Sequence, residues 1–179
     1  AAASDLTVRV PLGRLAPGRR YFYRFRQGAQ VSVVGSFRTA PQRSTRATVR
    51  FAISGDADAT PGADGKPGFN RYEVYGRMAA ERNDFNINLG DTIYSDSELS
   101  GSKPALTVPA KWEKYRFGLA LPGLRALRAG AGLYSHPDDH EYVNDFSVPE
   151  HGATLYQAGV KAFSDYAPVS WSPTRGFYR

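Results

Sequence analysis

The rhythm of hydrophobic and polar positions changes once along the chain, near residue 47. Upstream the apolar positions alternate. In 5-DLTVRVPL-12, Leu6, Val8 and Val10 share a face; in 21-YFYRFRQG-28, Tyr21, Tyr23 and Phe25 oppose Phe22, Arg24 and Arg26. The run 31-VSVVGSFRT-39 follows, and 14-RLAPGRR-20 carries Pro-Gly turn chemistry. Short alternating runs joined by tight turns predict strands of a β-sandwich. Residues 1–41 are therefore expected to be the C-terminal strands of an all-β, immunoglobulin- or fibronectin-III-like domain, too few to close a sandwich alone. Residues 42–48 are polar and follow a proline, as a linker would.

Downstream, strands and helices alternate. The segment 48-TVRFAIS-54 predicts a strand, followed by the Gly/Pro/Asp-rich loop 55-GDADATPGADGKPG-68. In 69-FNRYEVYGRMAAERN-83, Phe69, Tyr72, Tyr75 and Ala79 recur at helical spacing, and 84-DFNINLG-90 reads as the next strand. Such a unit builds parallel sheet. Residues 111–130 predict a helix interrupted near Pro122, residues 131–142 a short strand running into an acidic loop, and 153–168 an amphipathic helix. The end, 176-GFYR-179, resembles the start of a further strand.

Each strand of this second part ends in acid: Asp56 with Asp58, then Asp91, then Asp138 with Asp139. Ligands of open α/β sheets sit beyond the carboxyl ends of the strands. A single Gly-Asp there is also an ordinary turn or helix cap. Three in succession would gather repelling carboxylates at one edge, and a multivalent cation would remove that repulsion. Composition narrows the chemistry further. The 179 residues contain no cysteine, which excludes thiolate nucleophiles, disulfides and Cys-ligated zinc. No apolar run reaches the ~20 residues of a membrane-spanning helix, and 1-AAASDLTVRV-10 lacks the layout of a signal peptide. The net charge of +6 is arginine-rich and concentrated before residue 51, which either attracts anions or is a solvated strand surface.

The motifs in order are D-x-D at Asp56 and Asp58, then 89-LGDTIY-94, then 138-DDHE-141. Asp56 and Asp91 are 35 positions apart, and Asp91 and Asp139 are 48 apart, so each gap holds a crossover helix. With 21-YFYRF-25 and 32-SVVGSFRTAP-41, this constellation resembles the PhoD-like alkaline phosphatases and phosphodiesterases of the calcineurin-like metallophosphoesterase superfamily. The resemblance implies an incomplete α/β metallophosphoesterase-like sandwich over residues 49–179. It implies hydrolysis of phosphate esters by a metal-activated hydroxide. The metal ligands it implies are Asp56, Asp91 (bridging two ions), Tyr94 and Asp139, with Asp58 and Asp138 as further ligand candidates and Asn144 and Asp145 beside them. His140 is implied as the group that meets the phosphoryl oxygen or protonates the leaving group, and Glu141 as one that orients its neighbours. Arg116 is either a phosphate contact or a helix-surface arginine. The partner is then a small phosphorylated molecule or a phosphodiester polymer, and the protein is expected to be secreted, periplasmic or cell-wall associated.

Two departures qualify the pattern. PhoD-like enzymes often place a cysteine ligand where this chain has Asp56. The resulting oxygen-rich donor set favours Fe³⁺, Ca²⁺, Mn²⁺ or Mg²⁺ over zinc, and a Tyr94 phenolate favours Fe³⁺, so two or more ions with Fe³⁺ and Ca²⁺ foremost are expected. The family's later Asp and His motifs also have no counterpart after Glu141, as in a partial chain; His151 lies too early. Purple acid phosphatases share the tyrosine but write their third motif G-N-H-E. A non-enzymatic, calcium-stabilised surface module is the alternative from another class, and it has no need of Tyr94 or of 138-DDHE-141.

Overall fold

The computed structural model describes residues 2–169, 171, 172 and 174–177. The alternating runs upstream pair only in part. β1 (Arg20–Tyr23) lies antiparallel to β4 (Gly35–Arg38), and β2 (Arg26–Gln27) to β3 (Gln30–Val31). They form one ribbon, and Phe25 and Ser32 continue it through hydrogen bonds across the break. Residues 5–12, expected as a strand, are not one. Leu6 has a left-handed φ of 59°, and Leu6, Val8, Val10 and Leu12 are all exposed. The reason is pairing rather than propensity: an extended segment becomes a strand only when a neighbour takes its N–H and C=O groups. Among the described residues no second sheet faces the ribbon; residues 1–41 supply a few strands and not a closed sandwich, as expected of them alone. Instead the ribbon rests on the downstream region, with Tyr23 Oη donating to the Arg128 carbonyl (3.4 Å), Ser36 Oγ to that of Gly130 (3.2 Å), and Arg38 paired with Asp84 (2.9 Å).

The downstream region follows its predicted alternation. β5 (Phe51–Ser54), β6 (Phe85–Asn88) and β7 (Gly132–Ser135) form a parallel sheet in sequence order. α1 (Glu73–Ala80) crosses from β5 to β6. α2 (Val108–Ala120) and α3 (Pro122–Gly130) cross from β6 to β7, and Pro122 starts the second of these as a first-turn proline. A short α4 (Val148–His151) precedes α5 (Ala153–Tyr166). α1 begins later than the periodicity suggests, because Tyr72 adopts φ 61° and closes the preceding loop. Tyr178 and Arg179, part of the expected last strand, lie outside the described residues; Gly176 bridges Ser172 before them.

The helices cover one face of the sheet. Ala52 and Leu133 pack there with Tyr72, Tyr75 and Met78 from the α1 side and Leu127 from α3. α3 comes so close that a Cβ on Gly123 would stand 2.0 Å from the Tyr72 carbonyl oxygen. A second cluster, Ile93, Tyr115, Ala162 and Phe163, joins the loop after β6 to α2 and α5. The opposite sheet face carries Phe51, Phe85 and Tyr134 in ring contact, with Phe51 and Tyr134 exposed. Because all three strands run the same way, their carboxyl ends and the loops that follow emerge at one edge.

Candidate metal centre

β5 and β6 end alike. Gly55-Asp56 and Gly90-Asp91 each leave the strand with the aspartate in the left-handed region, at φ 51° and 54°. Asp tolerates this conformation better than most residues, yet it still costs energy, and such positions cluster at functional sites. Gly90 itself has φ 138°, and a Cβ there would lie 2.4 Å from Asp138 Cβ, so the β6 and β7 loops touch at a point only glycine permits. Asn88 fixes the turn: its Oδ1 accepts from Gly90 N (3.0 Å).

Beyond that point Asp91, Asp139 and His140 converge, each with a ligand atom within 4.8 Å of the others. Asp91 is buried, while Asp139 and His140 are partly open. Tyr94 Oη donates to Asp91 Oδ2 (3.1 Å), and the His140 backbone N–H reaches Asp91 Oδ1 (3.4 Å). The Tyr94 and His140 rings stack with centroids 4.1 Å apart. Burial raises the pKa of Asp91 from its ordinary value, only partly offset by Tyr94 and His140. Burial and then the Asp91 carboxylate push Tyr94 upward, with further contributions from the charges of Asp56 and Asp58. Among the described residues no Lys or Arg makes an ion pair with Asp91 or Asp139. The site is thus rich in acceptor oxygens and short of positive charge, and its donors suit a hard cation.

Asp96, which the sequence did not single out, completes the arrangement. His140 Nδ1 is 2.7 Å from Asp96 Oδ1, and Asp96 Oδ2 accepts from Asn144 N (3.1 Å). Burial alone would lower the His140 pKa; the hydrogen bond to Asp96 and the charges of Asp96, Asp91 and Asp139 outweigh it, so the value is raised. With Nδ1 taken, Nε2 is the nitrogen left for other chemistry. Glu141 is wholly buried and ties the loops together. It accepts from Thr92 N (2.6 Å), Thr92 Oγ1 and Asp138 N (2.7 Å), and burial raises its pKa to about 7.

The remaining expected residues stand apart from this group. Asp56 is exposed and does not join it, although its charge is felt at Tyr94. Asp58 accepts from Thr60 N (2.7 Å) and closes its own loop. Asp138 is exposed and contributes its backbone N–H to Glu141. Asp145 donates its N–H to Asp139 Oδ2, and Asn144 Nδ2 donates to Asp145 (2.7 Å). Arg116 turns to the N-terminal segment and holds Asp5 (2.6 Å). Asp96 could not be told from the neighbouring loop acids, since only the folded loops reveal which one meets His140.

Comparison with known proteins bears on the family and the fold. The family model described as PhoD-like phosphatase matches residues 61–179, and the one described as PhoD-like phosphatase, N-terminal domain, matches residues 1–41. Alkaline phosphatase D of Bacillus subtilis (strain 168) is 25% identical over 183 aligned positions, covering 91% of this chain and 30% of that protein. A solved structure of PhoD superposes with a TM-score of 0.73 at 24% identity, covering 87% of this chain and 32% of that one. A purple acid phosphatase from yellow lupin (Lupinus luteus) seeds superposes with a TM-score of 0.51 at 18% identity, covering 85% of this chain and 27% of that one. The chain thus spans about a third of the length of these relatives.

Proposed function

The chain belongs to the PhoD-like phosphatase family, and from that premise we propose that the protein hydrolyses phosphate esters at a metal centre built on Asp91 and Asp139, with His140 beside it as the proton donor. The observation that carries the reading is the convergence of Asp91, Asp139 and His140 within 4.8 Å on adjacent strand ends. Asp56 and Tyr94 complete the proposed ligand set from the flank, and Asp58 and Asp138 serve the loops. A hard cation suits these oxygens, with Fe³⁺ and Ca²⁺ foremost and Mn²⁺ or Mg²⁺ as substitutes. When bound, such an ion supplies Lewis acidity toward the phosphoryl oxygen and the attacking water.

The chain's own groups do the rest. Asp96 holds His140 through Nδ1, which leaves Nε2 of the doubly protonated ring to offer its proton to the substrate. As the water oxygen bonds to phosphorus, the ester P–O bond breaks and the leaving alcohol oxygen takes that proton. Tyr94 lies flat against the imidazole and restricts its rotation. Residues 1–41 form part of an all-β module, residues 42–48 its linker, and residues 49–179 the catalytic region. On the same family ground, the protein works outside the cytoplasm, either secreted, periplasmic or wall-associated, which cell fractionation checks.

Turnover of p-nitrophenyl phosphate and bis-p-nitrophenyl phosphate by the full chain tests the reading. Activity is expected to vanish on chelation and to return with Mn²⁺ or Fe³⁺. Activity that survives exhaustive chelation sinks it, and calcium-dependent stabilisation without turnover points to the non-enzymatic module.

A further inference from the structure

The two loops that carry the donors are fastened from behind. Lys111, in the first turn of α2, is 0% exposed. Its ammonium donates to Ser95 Oγ (2.8 Å) and to the Tyr142 carbonyl (3.1 Å). Ser95 is also 0% exposed, donates its hydroxyl to the Glu141 carbonyl (3.2 Å) and its N–H to the His140 carbonyl (2.9 Å), and accepts from Ala105 N (2.6 Å). One side chain therefore grips the residue after Tyr94 and the residue after Glu141.

Packing alone does not account for it. A buried ammonium is costly unless paired, and an apolar chain of similar volume would fill the space as well. Among the described residues no carboxylate lies within ion-pair distance of Lys111. Its partners are a hydroxyl and a carbonyl, each fixed to a different loop. As a charge, Lys111 opposes a cation in the nearby site. As a fastener, it favours one.

We propose that Lys111 is a positioning residue for the metal donors: it joins Ser95 to the Tyr142 carbonyl and so sets the separation between the Asp91–Tyr94 loop and the Asp139–His140 loop. The proposal rests on the metal-centre reading above. Ser95 is the bridge through which the ammonium acts, and α2 is the rigid element that carries it.

The test is calorimetric titration of Mn²⁺ alone into the metal-free full chain, for wild type, Lys111→Met, Ser95→Ala and the double variant, with amide hydrogen exchange on the same samples. In Lys111→Met the Mn²⁺ dissociation constant is expected to rise at least about tenfold, the scale of lost support behind metal ligands. Exchange should quicken in 91–97 and 138–145 but not in α5, and the metal-free melting midpoint should stay within about 5 °C of wild type. Ser95→Ala should weaken Mn²⁺ binding less, and the double variant should be no worse than Lys111→Met, because both break one connection. Equal or tighter Mn²⁺ binding by Lys111→Met, with unchanged loop exchange, overturns the proposal. If Lys111→Met does not fold, Ser95→Ala decides alone, and unaltered Mn²⁺ binding there overturns it too. A wild type that binds no Mn²⁺ overturns instead the metal reading beneath it.

Discussion

The loops after β6 and β7 and the loop after β5 leave the same sheet edge, and two of them begin with the same Gly-Asp step in the same left-handed conformation. They end up differently. The β6 and β7 loops bond to each other, through Ser95 with His140, Thr92 with Glu141, and Asp96 with His140. The β5 loop bonds to itself, through Thr60 with Asp58, Asn70 with Asp58, and Gly68 with Thr60. Strand topology brings acids to one edge, but cross-loop hydrogen bonds decide which of them converge. Asp58 is committed to its own turn and stands outside the group.

The comparison breaks most sharply at the two strand-end aspartates. Asp91→Ala should lower p-nitrophenyl phosphate turnover about 1000-fold, the several kcal/mol that Lewis-acid stabilisation supplies. Asp56→Ala, as a flanking ligand, should lower it less, about 100-fold on the same footing. Equal losses, measured as kcat/KM, would show that the exposed acid is as central as the buried one.

A second expectation concerns stability of the metal-free chain. Burial lowers the Lys111 pKa from 10.5 to about 8, against the charges of Glu141 and Asp96. Between those values the unfolded state binds more protons than the native state, so stability should rise with pH across pH 8–10.5. Below pH 8 the cost of burying the charge is carried in full. The rise attributable to this group is on the order of 3 kcal/mol, and Lys111→Met should remove it from denaturant titrations run across that range. An identical pH dependence in the variant would show that the ammonium is not desolvated as described.

Smaller effects separate chemistry from loop structure. His140→Ala should reduce kcat about 100-fold. Asp96→Asn should reduce it about tenfold, because the ring loses its charged partner and keeps a hydrogen bond. Substrates with a good leaving group should suffer least in both, and a uniform loss across leaving groups would remove His140 from the proton-transfer role. Smallest of all, Asp58→Ala should leave turnover within about threefold and cost about 1 kcal/mol in thermal unfolding, the value of one turn hydrogen bond. A 100-fold loss there would make Asp58 a ligand and erase the distinction between the loops.

Much of this was written in the chain itself. Alternation of strand and helix after residue 47, the break at Pro122 and the acids at three strand ends follow from local periodicity and turn chemistry, which depend on near neighbours. Resemblance in the LGDTIY and DDHE motifs pointed to the family that the comparisons show. Three things needed the tertiary structure. Residues 5–12 have strand periodicity but find no pairing strand among the described residues, and pairing is a long-range event. Asp96 and Lys111 drew no reading from the sequence; one holds His140 and the other is buried. And Asp56 and Asp91 carry the same local signature, yet only Asp91 meets Asp139 and His140, which come from a loop nearly fifty residues away.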